Sequence, residues 1–432
     1  MSGKGSIARL AAAALLCAFI SGLAGCGGKV TTGPEKPVSA PVVSSETSSD
    51  GNSEPSPPES APAALEPSSL PEADEPSEPP EPPAIPEPGL LEPYRADAEA
   101  ILALMDIEQK VWGVFLTSIP KGADTTAYIN SHPAAGYLLF KWDFDGLSKE
   151  DVIARNALLS ARPIPPLIAI DEEGGSIVRA SGYKALREEP FPSPAALWER
   201  GAGTVYLDGV EKGQFLSELG MNLCLAPVAD VSEDPADYIY SRTIGEDADE
   251  TAVYVSAAVS GLQDGGVGSV MKHFPGYGGN LDTHYGLSVD DRSLSELEER
   301  DLQPFISGIG IGGGAVMLSH NIVTALDPES PASLSPAVVD YLTDELDFSG
   351  LIMTDDLTMD AIELFPGEDA PSVAALKAGV DLICHLTAED GVKDVLDALE
   401  AGTLTEETVD EACLQVLAYK LWLGVIQPKT TE

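Results

Sequence analysis

Residues 167–175 read Leu-Ile-Ala-Ile-Asp-Glu-Glu-Gly-Gly, an apolar run that ends in three carboxylates and two glycines. A short apolar run with such an abrupt end is typical of a strand that is buried on both faces of a parallel sheet. Runs of the same kind recur along the chain, and a stretch with helical spacing follows each of them. The eight predicted strands are Val111–Leu116, Gly136–Phe140, Leu167–Ile170, Leu223–Pro227, Gly268–Met271, Ala315–Leu318, Leu351–Met353 and Leu382–Cys384.

Helical patterns fill the intervals, and several begin with Ser, Asp or Pro, as helices often do. Strands that alternate with helices require a parallel sheet, and eight repeats fit a closed barrel better than an open sheet. A doubly wound sheet more often has a glycine-rich phosphate loop after its first strand, where this chain has Thr117-Ser118-Ile119. The sequence therefore predicts an α/β fold with a TIM-like (β/α)8 barrel. The predicted helices are Lys149–Ser160, Glu211–Leu219, Glu250–Leu262, Leu294–Ile306, Pro336–Leu346, Ser372–Ala378, Val392–Ala401 and Thr405–Leu421.

Residues 1–26 have the pattern of a secretory signal, with Lys4 and Arg9 before an apolar core that is too short to span a membrane as a mature helix. The run Leu23-Ala24-Gly25-Cys26 resembles a bacterial lipobox, which implies cleavage before Cys26 and lipid on that cysteine. An ordinary signal peptide with a chance cysteine is the alternative. We therefore expect acyl chains on Cys26 to anchor the protein at the extracellular face of a membrane.

Residues 27–93 contain 17 of the 35 prolines, 13 acidic residues and two lysines. Such a segment cannot bury a core, and we expect a disordered acidic tether. Residues 94–432 are then the catalytic domain, and a chain shortened to begin near Tyr94 is expected to keep its stability and activity.

The chain has 70 acidic and 24 basic residues, a net charge of −46. This balance excludes a nucleic-acid partner, since phosphate binding needs a cationic surface. Three cysteines lie in the body, Cys224, Cys384 and Cys413, each far from the others in sequence. They form neither a disulfide framework nor a metal-ligand spacing, and we expect no metal and no cofactor.

Charged and polar residues follow most of the predicted strands. In a barrel these positions meet at one rim, where catalytic groups gather. Carboxylates that converge with Lys, Arg and His predict a polar pocket for a hydroxyl-rich ligand. In strand order these residues are Asp171-Glu172-Glu173 with Arg179, Asp230, Lys272-His273, Ser319-His320-Asn321, and Thr354-Asp355-Asp356.

Residues 272–286 read Lys-His-Phe-Pro-Gly-Tyr-Gly-Gly-Asn-Leu-Asp-Thr-His-Tyr-Gly, and the glycines and proline predict a long loop over the barrel mouth. Asp282 and His284 are two residues apart, so the carboxylate can contact the imidazole, fix its tautomer and favour its protonated form. This pair is a candidate proton shuttle. The alternative is a surface loop with a buried hydrogen bond.

These residues and their neighbours resemble family 3 glycoside hydrolases, and within that family the bacterial β-N-acetylglucosaminidases that act on cell-wall sugars. The resemblance covers most of residues 100–425. It is carried by Asp171-Glu172-Glu173-Gly174-Gly175 with Arg179, Asn222–Val231, Ser241-Arg242-Thr243-Ile244-Gly245, the Lys272–Gly286 loop, and Thr354-Asp355-Asp356-Leu357-Thr358-Met359.

The resemblance implies Asp355 as the catalytic nucleophile, His284 as the acid/base and Asp282 as its partner. It also implies five residues that bind the sugar, namely Asp171, Arg179, Arg242, Lys272 and His273. The loop departs from the commonest family form in three places: Tyr277 stands where histidine is usual, the interval from Gly278 to Asp282 is one residue shorter, and Ser288 stands where proline is usual. These departures leave the preferred leaving group open.

The implied activity is retaining hydrolysis of terminal β-N-acetylglucosaminides through a covalent glycosyl-enzyme. Three alternatives stay open: a β-glucosidase, a phosphorylase that uses phosphate in place of water, and a glycan-binding lipoprotein without catalysis. Within the site, Asp356 is the alternative nucleophile and Glu173 the alternative acid/base.

Overall fold

The computed structural model describes residues 89–427. The predicted signal, Cys26 and nearly all of the predicted tether lie outside the described residues. No helix between residues 89 and 427 is long and apolar enough to cross a membrane. The folded part includes residues before Tyr94, because Leu91 is only 2% exposed within the core and the N–H of Leu90 donates to Oγ of Ser349 at 2.8 Å.

The strands of the described part are short and parallel, and those at the centre are buried on both faces. Their apolar residues therefore run consecutively instead of alternating with polar ones. In chain order they are β1 Phe115–Ser118, β2 Gly136–Leu139, β3 Leu167–Ile170, β4 Leu223–Cys224, β5 Gly268–Ser269, β6 Met271–Phe274, β7 Val289–Asp290, β8 Ala315–Leu318, β9 Ile322–Val323, β10 Leu351–Thr354 and β11 Ile383–Cys384.

Six strands form one sheet in the order β11-β1-β2-β3-β4-β5, and three form another in the order β10-β8-β6. Strands β7 and β9 make a separate parallel pair. The predicted α/β class with parallel strands is confirmed. The predicted closed barrel is not, because the backbone hydrogen-bond ladder between neighbouring strands is not continuous. It is interrupted at Val270, whose N–H lies 3.0 Å from the carbonyls of both Cys224 and Ala226, so the register changes between β5 and β6. Single bridges, Val228 to Lys272 and Met353 to Leu382, join the two sheets.

Helices follow most of the strands and cover the outside of the sheets. In chain order they are α1 Arg95–Leu102, α2 Ile107–Trp112, α3 Thr125–Ser131, α4 Lys149–Ser160, α5 Pro194–Trp198, α6 Ala202–Glu218, α7 Ala248–Asp264, α8 Leu294–Glu296, α9 Gln303–Gly310, α10 Pro336–Asp340, α11 Asp360–Glu363, α12 Pro371–Lys377, α13 Ala388–Ala401 and α14 Glu406–Trp422. Two π-helical turns, Leu297–Asp301 and Tyr341–Glu345, continue α8 and α10.

Among the predicted elements whose bounds differ from the structure, two differ for reasons that the sequence itself shows. The first strand begins at Phe115 and not at Val111, because Asp106 and Gln109 form a capping box that starts α2 and places Val111 inside a helix. The predicted helix Leu294–Ile306 is divided, and its last part begins at Gln303 next to Pro304. Proline there lacks an N–H and disfavours a continuous α-helix through the preceding turn.

Candidate active site

A cavity of about 500 Å³ opens at the carboxyl ends of the strands. Seven of the eight residues predicted for catalysis or sugar binding line it: Asp171, Arg179, Arg242, Lys272, His273, His284 and Asp355. Asp282 contacts the cavity through its bond to His284. The structure therefore brings together residues that are up to 184 positions apart in the chain.

Lys272 lies at the centre of an ion-pair network on the cavity floor. It is 3% exposed, and its Nζ lies 2.8 Å from Oδ1 of Asp171 and 2.7 Å from Oε1 of Glu173. Burial alone would lower the pKa of Lys272, but the two carboxylates outweigh burial and raise it. Lys272 therefore stays charged and presents a fixed donor to the cavity.

Glu173 is the second centre of this network. Arg242 binds it in a bidentate manner, from Nη2 to Oε1 at 2.7 Å and from Nε to Oε2 at 2.9 Å. Burial would raise the pKa of Glu173, but Lys272 and Arg242 outweigh burial and hold the pKa well below its usual range. A carboxylate held ionised in this way is a poor proton donor, which argues against Glu173 as the acid/base.

Arg179 extends the network toward the cavity wall. Its Nη2 lies 3.4 Å from Oδ2 of Asp171, and its Nε is buried without a hydrogen-bond partner among residues 89–427. A buried donor without a partner is unfavourable unless a ligand or water accepts from it. Arg179 is therefore available to donate to a hydroxyl of a bound ligand.

His273 is held by Asp230, which follows β4. Nδ1 of His273 lies 2.8 Å from Oδ2 of Asp230, and the other oxygen of that fully buried carboxylate accepts from the N–H of Tyr277 at 2.7 Å. On the far side of the ring, Nε2 lies 3.3 Å from Nη2 of Arg242. Because Asp230 binds Nδ1, it fixes the orientation of the imidazole at the cavity floor.

Asp355 and Asp356 follow β10 but have different surroundings. Both line the cavity, but among residues 89–427 Oδ1 of Asp355 accepts only from the N–H of Asp356, at 2.8 Å. Burial would raise the pKa of Asp355, but His273, His320, the Asp356 N–H and Lys272 together outweigh burial and hold the pKa below its ordinary value. Asp355 is therefore an ionised carboxylate with oxygen lone pairs that remain free.

The side chain of Asp356 stabilises the backbone that follows strands β10 and β11. Its side chain accepts from the N–H groups of Thr358 at 3.1 Å and Leu386 at 3.2 Å, as well as from the Thr358 hydroxyl. Its carbonyl accepts from Nε2 of His320 at 3.0 Å. The other nitrogen of that buried imidazole accepts from the Ser333 hydroxyl, and burial lowers the pKa of His320. His320 is therefore a neutral residue that supports the Asp356 loop.

His284 lies on the long loop that follows β6. Its Nδ1 lies 2.7 Å from Oδ1 of Asp282, which also accepts the N–H of His284 at 3.0 Å. The side chain of His284 is 53% exposed, whereas that of Asp282 is 19% exposed. Since Asp282 binds Nδ1, the Nε2 atom of His284 is the ring nitrogen left for proton exchange. The predicted contact between carboxylate and imidazole is thus present.

The loop is held at its middle and at its far end. The hydroxyl of buried Tyr277 bonds that of Thr283, and the Thr283 carbonyl accepts from the N–H of Ala361 at 3.2 Å. At the far end, Arg292 binds both Asp290 and Asp301. These contacts fix Thr283, which lies between Asp282 and His284, while His284 itself stays accessible.

Two of the three departures from the common family form supply contacts inside the loop. Tyr277 packs edge-to-face on His273, with ring centroids 5.1 Å apart, and bonds Thr283. Ser288 accepts from the N–H of Leu281 at 3.2 Å through its hydroxyl. The Ser288 hydroxyl therefore makes a hydrogen bond that proline cannot make, and the Tyr277 hydroxyl reaches Thr283 from a position where histidine is usual.

Sequence reasoning missed one residue of the site, Tyr238, and named a second, Asp230, without its role. Tyr238 lines the cavity, and its hydroxyl lies 3.3 Å from Nη1 of Arg242 and 3.5 Å from Nδ1 of His284, so it bridges the floor and the loop. No motif signals it, because it lies in an irregular segment. Asp230 was visible as a polar residue after a strand, but its role depends on contact with His273, which is 43 positions away.

The described residues contain no group of three or more His, Cys, Asp or Glu side chains arranged to hold a metal ion.

Comparisons with known proteins place this chain in a family. The model of the glycosyl hydrolase family 3 N terminal domain matches residues 115–419. The chain is 35% identical over 298 residues to a β-hexosaminidase from Stenotrophomonas maltophilia, which covers 66% of this chain and 86% of that protein. It is 31% identical over 338 residues to the β-hexosaminidase LpqI from Mycobacterium tuberculosis, covering 75% of this chain and 85% of LpqI.

Among solved structures, the family 3 β-N-acetylglucosaminidase from Paenibacillus sp. superimposes with a TM-score of 0.68 at 29% identity. The match covers 76% of this chain and 65% of that one. The fold, the cavity at the strand ends and these similarities agree. The chain belongs to glycosyl hydrolase family 3 and is a glycosidase.

Proposed function

We propose that the protein hydrolyses terminal β-N-acetylglucosaminides with retention of anomeric configuration, through a covalent bond to Asp355. The observation that carries the proposal is the single cavity that holds an ionised Asp355 together with His284, whose Nδ1 is bound by Asp282. An ionised carboxylate and a separate proton-transfer group are the two parts that a retaining glycosidase requires.

In the first step, a carboxylate oxygen of Asp355 forms a bond to the anomeric carbon while the bond to the leaving-group oxygen breaks. His284 donates a proton from Nε2 to that oxygen, so the aglycone departs as an alcohol. The carboxylate of Asp282 stabilises the positive charge on the imidazolium before the transfer. The chain then carries a glycosyl ester on Asp355 and a neutral His284.

In the second step, Nε2 of His284 removes a proton from a water molecule, whose oxygen attacks the anomeric carbon. The ester bond breaks, Asp355 returns to its carboxylate form and the sugar leaves with its original configuration. Most retaining enzymes use a second carboxylic acid for this work. Histidine can do the same work because an imidazole both donates and accepts a proton readily near neutral pH.

The floor of the cavity supports the binding of a sugar ring in one orientation. Lys272 and Arg179 present donors, and Asp171 between them presents acceptor oxygens. Apolar side chains such as Leu138, Met359 and Leu386 also line the cavity, so a methyl group can be buried beside the hydroxyl-binding groups. The preference for the N-acetyl sugar rests on the relatives, which are named β-hexosaminidase and β-N-acetylglucosaminidase.

The experiment compares nitrophenyl β-N-acetylglucosaminide with nitrophenyl β-glucoside at equal concentration. We expect the N-acetyl sugar to be cleaved faster by at least ~10-fold, since buried polar groups left without partners discriminate strongly between substrates. Faster cleavage of the glucoside would replace the proposal by a β-glucosidase activity.

Phosphorolysis is distinguished by the product. With phosphate present, a hydrolase releases only the free sugar, whereas a phosphorylase releases the sugar 1-phosphate. We expect the free sugar, because the cations of the floor are already paired with Asp171 and Glu173 and the chain carries a net charge of −46. Accumulation of sugar 1-phosphate would overturn the choice of water as acceptor.

We also propose that the enzyme works at the extracellular face of a membrane, held by lipid on Cys26 with residues 27–93 as the tether. The lipobox pattern and the composition of the tether support this placement. Cells fed an alkyne-tagged fatty acid should label the protein but not the Cys26→Ala variant. Equal labelling of the two, or no labelling of either, would contradict lipidation at this cysteine.

A further inference from the structure

A second cavity, of about 420 Å³, lies at the opposite end of the sheets from the active site. Its lining includes residues that come just before strands: Gly113 before β1, Ala135 before β2 and Ile164 before β3. The active-site cavity lies at the carboxyl ends of the same strands and shares no lining residue with this one. Glycoside chemistry therefore does not account for it.

Lys420 of helix α14 lines this far cavity and has no partner. It is 2% exposed, and its ammonium makes no hydrogen bond or ion pair with any residue from 89 to 427. Two other buried lysines differ, because Lys272 pairs with Asp171 at 2.8 Å and Lys212 pairs with Asp208 at 3.2 Å. A buried ammonium without a counter-ion is costly, and an anionic ligand in the cavity would supply the partner that Lys420 lacks.

Arg162 adds a second cation to the lining. Its Nη1 donates to the carbonyl of Ile129 and to the hydroxyl of Tyr137, both at 2.8 Å. The other guanidinium nitrogens make no hydrogen bond within the described part of the chain. None of the fourteen lining residues is acidic, although the chain as a whole carries a net charge of −46. The cavity is thus a positively charged site in an acidic protein.

The rest of the lining is mostly apolar. Helix α1 and the residues after it contribute Ile101, Leu104 and Met105, and α14 contributes Leu417. Leu104 is 75% exposed, so apolar surface reaches from the cavity to solvent. A volume of this size lies within the range of small-molecule sites. The lining matches a molecule with one anionic end and an aliphatic body.

We propose that this far cavity binds an amphipathic monocarboxylate of the medium-chain alkanoate class, with the carboxylate at Lys420 and Arg162 and the chain against the apolar wall. This site is independent of the catalytic proposal, since no residue is common to the two cavities.

The test is calorimetric titration of the protein with sodium decanoate at pH 7, and with 1-decanol as the uncharged analogue. We expect decanoate to bind at least ~10-fold more tightly than decanol, because a charge-assisted bond to the ammonium is lost with the alcohol. Lys420→Met should lose at least ~10-fold in decanoate affinity. The matched control is Lys121→Met, a 72% exposed lysine outside the cavity, which should bind decanoate as the unaltered protein does.

The pH dependence supplies a readout that needs no variant. Burial lowers the pKa of Lys420 to about 7. The charged or titratable groups that face it are Cys413 on its own helix and Arg162 before β3, while Lys110 of α2 is paired with Asp410 at 2.8 Å. Decanoate stays ionised above pH 6, so its affinity should fall at least ~10-fold between pH 6.5 and pH 9 as the lysine loses its proton.

Equal affinity for decanoate and decanol, or an affinity that does not change with pH, would overturn the proposal. So would unchanged binding to a folded Lys420→Met variant. Saturating N-acetylglucosamine should leave decanoate binding unaltered, and competition between the two would place the carboxylate in the active site instead.

Discussion

The carboxylate of Glu173 and the guanidinium of Arg242 form a bidentate ion pair on the cavity floor, with N···O distances of 2.7 and 2.9 Å. The same carboxylate lies 2.7 Å from Nζ of Lys272. Two cations therefore hold Glu173 as an anion, and under the proposed function this carboxylate positions donors for the sugar. The sequence alone left Glu173 as the rival of His284 for proton transfer, and these contacts argue against Glu173 as the proton donor.

Glu173→Gln should consequently impair substrate binding and stability. Its kinetic defects should not be those expected when a proton donor is lost. The amide cannot balance both cations, so the free energy of unfolding should fall by about 3 kcal/mol. The kcat/KM values of nitrophenyl and natural glycosides should fall by similar factors, and azide should not restore turnover. A defect confined to substrates with poor leaving groups would instead make Glu173 the acid/base.

His284→Ala should show the opposite pattern. A nitrophenyl leaving group needs little protonation, so the glycosyl-enzyme should still form and its hydrolysis should become slow. The defect should be about 10²–10⁴-fold on natural glycosides and smaller on activated ones. Azide attacks without a base and should restore turnover of the nitrophenyl substrate. Steady-state rates with and without azide check this, and equal defects on both substrate classes would refute the assignment.

The pH profile of kcat/KM should depend on His273. Burial raises the pKa of Asp355, but other groups lower it more, so the pKa lies below its ordinary value. His273 has the largest lowering effect. An ordinary aspartate has a pKa of about 3.9, so the acid limb of the unaltered enzyme should lie below about pH 4. In His273→Gln the limb should move to higher pH. His385→Gln, a change outside the cavity lining, is the control and should leave the limb in place.

The boundary of the folded domain can be tested by shortening the chain. A chain that begins at Gly89 should unfold at the temperature of the full chain. One that begins at Tyr94 loses the 2% exposed Leu91 and should be less stable by about 2–5 kcal/mol, as for loss of a buried leucine. The measurement is thermal unfolding of the chains that begin at Gly89 and at Tyr94. Equal midpoints would show that Leu91 packs without stabilising the core.

Local patterns predicted the strands and helices whose signals do not compete. The strands Leu167–Ile170 and Ala315–Leu318 and the helix Lys149–Ser160 have the predicted bounds. Each is a run whose apolar pattern, end residues and caps favour the same element. At Val111 the apolar pattern favoured a strand while the capping box at Asp106 favoured a helix, and the helix formed.

In the candidate site, residues with a local signal were predictable, whereas contacts between residues far apart in sequence were not. Strand-end residues such as Asp171, Lys272 and Asp355 were predictable because a barrel brings all strand ends to one rim. The pairing of Glu173 with Arg242 was not, since the two lie 69 positions apart and no local pattern encodes their contact. The far cavity was equally hidden, because Arg162 and Lys420 are 258 positions apart. Lys420 lies on a helix whose apolar pattern predicts packing against the sheets and gives no sign of a ligand site.

Trapping the covalent bond between Asp355 and the sugar is the decisive test of the proposed mechanism. A 5-fluoro N-acetylglucosaminyl fluoride forms the glycosyl-enzyme faster than water removes it, so intact mass spectrometry should show the gain of one fluorinated sugar, and peptide mapping should place it on Asp355. Asp356→Asn should be labelled in the same way, and Asp355→Asn should not be labelled. An unlabelled enzyme whose first product has the inverted configuration, or a label on another residue, would show that Asp355 is not the nucleophile.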